Sequence, residues 1–327
     1  KVSSPGLNIG NATAGNSELG VRGFAYHPDF NNASAAGYLK FYTMSCHNTS
    51  TRTLAGAIPL YHTAPPGAPT VCDNVLAEWK MYSATDQRAN PSSRREVLRF
   101  PQFYANHGSD ALVFDSSTKL LYMATGDGGS QNDPYNVASN VDYVNGKILR
   151  INPLKPGATV PAGMIKHSSG AWSFPTSNPG VSGPGKYAYY VKGMRHPEAM
   201  FRNGGDLIIA DIGGAVFEEI NILKLSGDQG RSFGWDGVEG RNPVRTTTVP
   251  PVAGYTHAEN GGSSAIIIGG VPNNTMGTAF NGKVIAGDLV KGKIIYGDLA
   301  AMRNARSWST PMVPVQQAVL RNSAGQT

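Results

Sequence analysis

Charged residues are scarce in this chain, and long apolar runs are absent. Asp, Glu, Lys and Arg make up only 15% of its 327 residues, against roughly 25% in typical soluble domains. Because no apolar run approaches the roughly 18 residues that cross a bilayer, we expect no membrane span. Only Arg94 and Arg95 are adjacent basic residues, whereas a nucleic-acid-binding face needs a cluster. The net charge of +6 therefore indicates a mildly basic surface and no nucleic-acid partner.

Cysteine is also scarce, with only Cys46 and Cys72 in the whole chain. Each closes a β-like run or borders the proline-rich loop at 64–69, and we expect a disulfide between them if the protein is secreted. Asn-x-Ser/Thr sequons, the acceptors of N-linked glycans, begin at Asn11, Asn32, Asn48 and Asn273. The cysteine pair and the sequons together predict an extracellular protein. Lys1 begins no signal peptide, so we expect that any leader was removed or omitted.

Helical patterns are hard to find, whereas turn residues are frequent, with 40 glycines and 22 prolines. Short apolar runs recur between these turns. They lie at 38–43, 97–100, 207–210, 220–225, 283–286 and 293–297. Many short strands separated by Gly- and Pro-rich turns predict an all-β sandwich, barrel or propeller.

An internal repeat favours the propeller. The segments 120–126, 205–211 and 283–288 each combine an apolar strand with a Gly- or Asp-containing turn, and repeats of this kind are typical of propeller blades. No linker divides the chain, so we expect a single domain over 1–327. The Ser-, Gly- and Pro-rich segment 161–185 is interpreted as a long surface loop that could lie over one end of the channel.

The most informative motif lies between residues 106 and 153. His107 precedes an apolar run at 111–114, a polar turn and a second run at 120–125, and Gly126-Asp-Gly-Gly129 follows. The two runs predict a β-hairpin, and the glycines allow the backbone to approach another group closely. This order resembles one blade of the glucose/sorbosone dehydrogenase family, whose members include soluble quinoprotein sugar dehydrogenases.

Five further blocks resemble the same family in the same order. They are Glu18-Leu-Gly-Val-Arg-Gly-Phe-Ala-Tyr-His-Pro-Asp-Phe30, Gly193-Met-Arg-His-Pro197, Asp211-Ile-Gly-Gly214 with Glu218-Glu-Ile-Asn221, Ser232-Phe-Gly-Trp235 with Glu239-Gly240, and Gly287-Asp-Leu-Val-Lys-Gly292. The match runs from about residue 18 to about residue 299. The resemblance implies an all-β, six-bladed β-propeller.

The resemblance also implies a chemistry. Enzymes of the family bind pyrroloquinoline quinone (PQQ) and calcium at one end of the channel and oxidise the C1 hydroxyl of an aldose. His107 is expected to be the general base, a role that suits imidazole because its pKa lies near working pH. Arg195 is expected to stabilise negative charge on the reduced quinone. The carbonyl oxygens of Gly213 and Gly214 match the family's calcium pair, since Ca²⁺ prefers hard oxygen ligands.

Five more residues are expected to contact the cofactor: Glu18, Asn106, His196, Glu198 and Lys291. His196 stands where the family has Asn, and Glu198 where several members carry an amide. A carboxylate at Glu198 would repel the carboxylates of PQQ unless it is neutralised. Phe233 replaces a tyrosine of the family pattern. The substrate would be a sugar or a glycan.

Each of these residues also has a purely structural interpretation. His107 could hydrogen-bond a turn, Arg195 could form a salt bridge between blades, and Gly213 and Gly214 could supply a tight turn. Asp127 is expected to bind backbone N–H groups of its own turn. His27 and His196 are likewise expected to be structural, with the side chain of His27 capping the turn before Phe30.

The pattern is shorter than the family's at both ends. Only seventeen residues precede the first block, and the family's last blade has no counterpart. We therefore expect a ring that is incomplete at both termini, in a fragment of a longer chain. Open blade edges tend to aggregate, so a protein partner or omitted sequence would cover them. These departures support a second hypothesis, a non-catalytic extracellular propeller that acts as a binding or assembly module.

Overall fold

A computed structural model describes residues 18–86, 88–180, 187–272 and 278–319. Within these ranges the chain forms nineteen β-strands and one short α-helix, α1 (Leu299–Asn304). None of the helices in these ranges has the length and apolar character that a membrane crossing requires. The prediction of an all-β protein is confirmed.

The first sheet is an antiparallel meander in chain order. It contains β1 (Val21–Tyr26), β2 (Lys40–His47), β3 (Cys72–Met81) and β4 (Ala89–Gln102). The disulfide Cys46–Cys72 joins the end of β2 to the start of β3, as expected. It closes the long connection that carries the proline-rich segment.

The second sheet contains β5 (Leu112–Phe114), β6 (Leu121–Thr125), β7 (Lys147–Ile151) and β10 (Tyr189–Lys192), paired in the order β10-β7-β6-β5. Between β7 and β10 the chain forms β8 (Met164–Lys166) and β9 (Ser173–Pro175), which pair as a separate two-stranded sheet. The prediction of a long surface loop at 161–185 was therefore wrong in part, because 164–175 forms the β8–β9 hairpin. Strands of three residues are too short for the alternation of side chains to stand out. Residues 181–185 lie outside the described part of the chain.

The third and fourth sheets follow the same plan. The third contains β11 (Ala199–Asn203), β12 (Asp206–Asp211), β13 (Phe217–Lys224) and β14 (Ala253–Thr256), with β18 (Val313–Pro314) added parallel to β14. The fourth contains β15 (Ile266–Gly270), β16 (Lys283–Asp288), β17 (Lys293–Asp298) and β19 (Gln316–Gln317). The predicted pairing of 207–210 with 220–225 is confirmed by β12 and β13.

The four sheets are arranged like the blades of a β-propeller. Their first strands contact one another in chain order, β1 with β5, β5 with β11, and β11 with β15. These strands therefore line the inside, and the last strand of each sheet lies outermost. Four blade-like sheets are present within the described ranges, and the predicted count of six is not confirmed.

Apolar side chains between neighbouring sheets form the core. Met44 and Leu76 of the first sheet pack with Leu121 and Met123 of the second, and all four are fully buried. Burial of each such side chain contributes roughly 1.5–3 kcal/mol. Similar layers join the second sheet to the third and the third to the fourth. This packing gives the connecting loops a rigid base.

Two of the four predicted glycosylation sites are within the described ranges. Asn32 is exposed, in a turn where its side-chain oxygen accepts hydrogen bonds from Ser34. Asn48 is half-buried and caps a short 3₁₀ helix (Thr49–Thr53). Asn11 and Asn273 lie outside the described residues. Glycosylation stays a prediction at all four positions.

Candidate active site

Three connecting segments meet at the end of the molecule where the first strands begin. They are the segment before β5, the β6–β7 loop at 126–146, and the β10–β11 connection at 193–198. Backbone hydrogen bonds tie them together, since Asp127 N donates to Arg195 O and Gly126 N donates to Gly108 O. Glu18, which precedes β1, and Arg22 of β1 join the polar side chains of these segments. Together they form what we call the His107 cluster, comprising Glu18, Arg22, His107, Asp110, Asp127, Arg195, His196 and Glu198.

His107 is held in a fixed and strained conformation. Its φ of 51° lies in the left-handed region, which non-glycine residues adopt at a cost. The backbone N–H donates to Glu18 Oε2 at 2.9 Å, and a Cβ on Gly126 would overlap the His107 carbonyl. Strain of this kind is concentrated at functional sites. The residue is only 4% exposed.

Asp127 orients the imidazole of His107. Its Oδ1 lies 2.7 Å from His107 Nδ1 and also accepts the N–H of Gly129 at 2.9 Å. Its Oδ2 accepts the indole N–H of Trp235 at 2.8 Å. The expected role of Asp127 within its own turn is therefore confirmed, and the bond to His107 is added to it. With the proton held on Nδ1, Nε2 is left as the acceptor nitrogen.

The surroundings keep His107 neutral. Burial lowers its pKa, Asp127 opposes this, and the nearby charges of Arg195 and His196 lower it further. A neutral imidazole at neutral pH has the lone pair that a general base requires. The cluster therefore supports the predicted role of His107, which itself stays a prediction.

Lys147 stabilises the loop that carries Asp127. Its ammonium group is completely buried and donates to the carbonyl oxygens of Val137, Ala138 and Asn145, at 2.7, 3.0 and 2.8 Å. Burial lowers its pKa to about 7, while three carbonyls match the three donors of the charged form. The side chain of Lys147 thus ties the middle of the 126–146 loop to its C-terminal end.

Arg195 lies under the turn between β12 and β13. Its Nη1 donates to the carbonyl oxygens of Ile212 and Gly213, at 2.9 and 2.7 Å, and its guanidinium lies 5.4 Å from the Trp235 ring. Within the described ranges it forms no salt bridge, and its Nε is buried without a hydrogen-bond acceptor. A buried donor without a partner is costly, which suggests that a ligand oxygen completes it.

The β12–β13 turn needs glycine at position 213 for steric reasons and has little room for a side chain at position 214. A Cβ on Gly213 would overlap the carbonyl of Phe217, and a Cβ on Gly214 would lie 2.7 Å from Glu239 Oε1. Glu239 binds the turn through the N–H groups of residues 215–217. The tight-turn interpretation therefore accounts for Gly213 and Gly214 without a metal.

The donor set does not fit calcium as it stands. The Gly213 carbonyl is already bound by the cationic side chain of Arg195, whereas Ca²⁺ needs several free oxygen ligands. In the part of the chain that the structure describes, no group of three or more His, Cys, Asp or Glu side chains could hold a metal. The calcium role of Gly213 and Gly214 stays a prediction.

His196 lies between two carboxylates. Its Nε2 is 2.8 Å from Asp110 Oδ2, and its Nδ1 is 3.6 Å from Glu18 Oε2. The ring stacks on His107 with the centroids 5.2 Å apart. Burial alone would lower the pKa of His196, but the hydrogen bond and charge of Asp110, helped by Glu18 and Glu198, raise it. The surroundings therefore favour a charged His196.

Arg22 neutralises Glu198. Its guanidinium bridges Asp110 at 2.5 Å and Glu198 at 2.9 Å. The repulsion that a free carboxylate would exert on an anionic cofactor is therefore reduced. The network runs without a break from Glu18 through His196, Asp110 and Arg22 to Glu198.

Asn106 and Lys291, the two remaining predicted cofactor contacts, lie in different parts of the structure. Asn106 precedes His107, and its Oδ1 accepts the N–H of Ser130 at 3.1 Å, so it supports the same loop as Asp127. Lys291 lies in the β16–β17 turn, where its Nζ donates to Gly261 O at 2.8 Å. No contact recorded among the described residues joins Lys291 to the His107 cluster.

The sequence predicted most residues of the His107 cluster but not several of the side chains that bind them. Asp127 was not predicted to bind His107, and no role was predicted for Arg22, Asp110 or Trp235. The one available signal was the position of Asp110 and Asp127 within the same motif as His107. Of the structural interpretations, the cap by His27 is observed, because its Nδ1 accepts the N–H of Asp29 at 3.0 Å.

Comparison with known proteins gives distant relatives. No family model matches the chain. The HIPL1 protein of Arabidopsis thaliana is 26% identical over 305 residues, covering 82% of this chain and 42% of that protein. The HIPL2 protein of the same plant is 26% identical over 311 residues, covering 82% of this chain and 42% of that protein. The chain thus spans less than half the length of these curated relatives.

Solved structures match the fold over most of the chain. The PQQ-bound aldose sugar dehydrogenase of Streptomyces coelicolor has a TM-score of 0.58 at 18% identity, covering 93% of this chain and 68% of that one. The apo-form of the soluble aldose sugar dehydrogenase of Escherichia coli has a TM-score of 0.61 at 16% identity, covering 93% of this chain and 73% of that one. The chain therefore has the propeller fold of the soluble aldose sugar dehydrogenases, as its resemblance to the glucose/sorbosone dehydrogenase family predicted.

Proposed function

We propose that this chain is a secreted, PQQ-dependent sugar dehydrogenase that oxidises the C1 hydroxyl of an aldose. The observation that carries the proposal is the buried His107–Asp127 pair, with Nδ1 and Oδ1 2.7 Å apart. PQQ, when bound, supplies the acceptor for the C1 hydride. The disulfide and the exposed sequon at Asn32 support secretion.

His107 would carry out the proton transfer. Its Nε2 would take the proton of the C1 hydroxyl as the C1–H bond electrons leave with the hydride, so that a carbonyl forms at C1. Asp127 would stabilise the imidazolium that results, since it already holds Nδ1. General base catalysis of this kind contributes typically 10²–10⁴-fold.

Arg195 fits the quinone. Its Nε is a buried donor without an acceptor, and a quinone oxygen that gains negative charge on reduction would complete it. Trp235 lies against the same guanidinium and also holds Asp127, which links the two parts of the site. Because the Gly213 carbonyl is bound by Arg195, no step of the proposed reaction is assigned to calcium.

One observation favours the second hypothesis, a binding or assembly module. Glu18, His196 and Glu198 are predicted cofactor contacts, yet they are bound to one another through Asp110 and Arg22. Side chains that satisfy each other offer fewer hydrogen bonds to a ligand. In this reading the cluster stabilises the axis of the propeller.

Titration of the purified protein with PQQ, with and without Ca²⁺, separates the two functions. Saturable binding followed by quinone reduction on adding glucose would establish the dehydrogenase. His107→Ala should then bind PQQ and lose roughly 10²–10⁴-fold in kcat, whereas Lys80→Ala, on an exposed position of β3, should not change it. Failure of every aldose tested to reduce the quinone in the PQQ-loaded protein would rule out the enzyme and leave the module.

A further inference from the structure

A cavity, which we call the outer cavity, lies on the outer edge of the molecule. It has a volume of about 410 Å³, within the roughly 300–1,000 Å³ range of small-molecule sites. Its walls are the loop at 58–61 and the β8–β9 hairpin, and its floor includes Leu98 of β4. It shares no residue with the His107 cluster. Tyr61 N donates to Arg99 O on β4, so the cavity lies beside the outermost strand of the first sheet.

Aromatic rings surround this cavity. The His167 ring stacks on the buried Trp172, with the centroids 4.4 Å apart and the planes 10° from parallel. Tyr61 lies 5.5 Å from His167 and 6.0 Å from Trp172, and Tyr187 lies 6.4 Å from His167. His167, Tyr61 and Tyr187 are half-buried, so part of each ring is accessible. Aromatic faces carry partial negative charge, which attracts weakly positive C–H groups.

The cavity has no unpaired charge. Arg99 is its one ionised lining residue at neutral pH, and its guanidinium is bound to Glu96 and Asp73 at 2.6 and 2.8 Å. Burial lowers the pKa of His167, so its ring is neutral at pH 7. A phosphate or carboxylate would find no free cation here. The lining therefore suits a neutral ligand.

Hydrogen-bonding groups stand among the rings. The Tyr61 hydroxyl accepts the N–H groups of Tyr187 and Ala188, at 3.2 and 3.3 Å, which leaves its own proton to donate. His167 Nδ1 accepts the N–H of Ser169, so the neutral ring carries its proton on Nε2 as a second donor. Ser168 is exposed at the cavity and can donate or accept. A purely apolar ligand would leave these groups without partners.

We propose that this cavity binds a neutral sugar ring, as a carbohydrate site separate from the axis of the propeller. A pyranose has an apolar C–H face that packs on aromatic rings and hydroxyls that pair with Tyr61, His167 and Ser168. The assignment is independent of the proposed dehydrogenase function, because it uses none of the cluster residues.

The chain offers separate reporters for the two sites. It contains four tryptophans, of which Trp172 lies beneath His167 and Trp235 lies in the His107 cluster. Protein labelled with 5-fluorotryptophan can be titrated with cellobiose and glucose and followed by ¹⁹F NMR. Trp172→Phe and Trp235→Phe assign the two resonances. Glucose 6-phosphate serves as a charged comparison and cyclohexanol as an apolar one.

We expect cellobiose to shift the Trp172 resonance saturably, with a Kd of about 1 mM, equivalent to about −4 kcal/mol. Ser168→Tyr should block the cavity and weaken binding at least about tenfold, while the matched variant Ser92→Tyr, at an exposed position of β4, should bind like the wild type. No saturable shift of Trp172, an unchanged shift in folded Ser168→Tyr, or a larger response to cyclohexanol would overturn the proposal. A shift of Trp235 alone would place sugar at the axis only and would also overturn it.

Discussion

His107 and His196 lie face to face, 5.2 Å apart, yet their surroundings favour opposite protonation states. Burial and two neighbouring cations lower the pKa of His107. Contact with Asp110 raises that of His196. Two titratable groups whose pKa values are driven apart are typical of acid–base sites. A protonated His196 also disfavours a second positive charge on its neighbour, which keeps His107 ready to accept a proton.

Replacing Asp127 by Asn tests the orientation of His107. The amide keeps the size of the side chain but removes the charge that raises the pKa of His107 and that fixes its proton on Nδ1. We expect the His107 pKa, measured by NMR, to fall further. In PQQ-loaded protein kcat/KM for glucose should fall by roughly 10²–10⁴-fold. An unchanged pKa and an unchanged rate would show that Asp127 only ties down its turn.

Replacing His196 by Asn tests the interaction between the two rings. Loss of the neighbouring cation should raise the pKa of His107, because a positive charge nearby disfavours its protonated form. A base must be neutral to act, so the acid limb of the kcat/KM profile should move to higher pH. Glu259→Ala, on an exposed loop, is the control. A His107 pKa that falls or stays constant in His196→Asn would contradict the coupling.

At the residue scale, the sequence identified individual groups but not their partners. His107 and Arg195 could be predicted because each lies in a short motif. The link from Arg22 to Glu198 spans 176 residues and the link from His196 to Asp110 spans 86, and no local pattern encodes either contact. Only the folded sheets bring these charges together.

At the scale of elements, the inner strand β1 packs closely against the second sheet. A Cβ on Gly23 would overlap the carbonyl oxygen of Asp110 and crowd Leu112 and Met44. Glycine is therefore required there by close packing, at the point where β1 passes the segment that leads into β5.

Gly23→Ala is expected to destabilise the protein by about 1–3 kcal/mol, the usual cost of overpacking. Gly205→Ala is the matched control, since a Cβ there meets no atom within 4 Å, and it should change stability by less than about 0.5 kcal/mol. Chemical denaturation of both variants measures the difference. Equal stability of the two would show that β1 can shift away from the second sheet at little cost.

Strands were predictable where their side chains are apolar and were missed where they are not. β6, β12 and β16 were all found as apolar runs between turns. β3 was missed because Asp73 and Glu78 interrupt its hydrophobic pattern. Both residues are nevertheless buried, with exposed fractions of 0% and 5%. Arginines from other segments neutralise both carboxylates. Such compensation depends on tertiary contacts and leaves no periodic signal.

At the scale of the whole molecule, the disulfide links two neighbouring strands across a long loop. Cys46 and Cys72 are 26 residues apart in sequence. A cross-link of this length restricts the unfolded chain and stabilises the fold by about 3–4 kcal/mol in the loop-entropy description. The same loop forms one wall of the outer cavity.

The variant with both Cys46 and Cys72 replaced by Ser should therefore unfold at lower denaturant, with about 3–4 kcal/mol less stability. Cellobiose binding at the outer cavity should weaken more than PQQ binding at the axis, because the loop at 58–61 belongs to the segment that the cross-link closes. Wild-type protein in the oxidised form is the reference. Stability equal to the reference would mean that the closed loop is already ordered in the unfolded ensemble.

The buried charge of Lys147 bears on the choice of buffers for the protein. The positive charge that organises the 126–146 loop is part of the chain, so dialysis and chelating agents cannot remove it. Burial lowers the pKa of Lys147 to about 7, below the ordinary lysine value of the unfolded chain, so loss of its proton as the pH rises does not favour unfolding. The neutral amine also keeps two of its three N–H donors. Mildly alkaline storage buffers and washing with chelators should therefore both leave the loop that carries Asp127 in place.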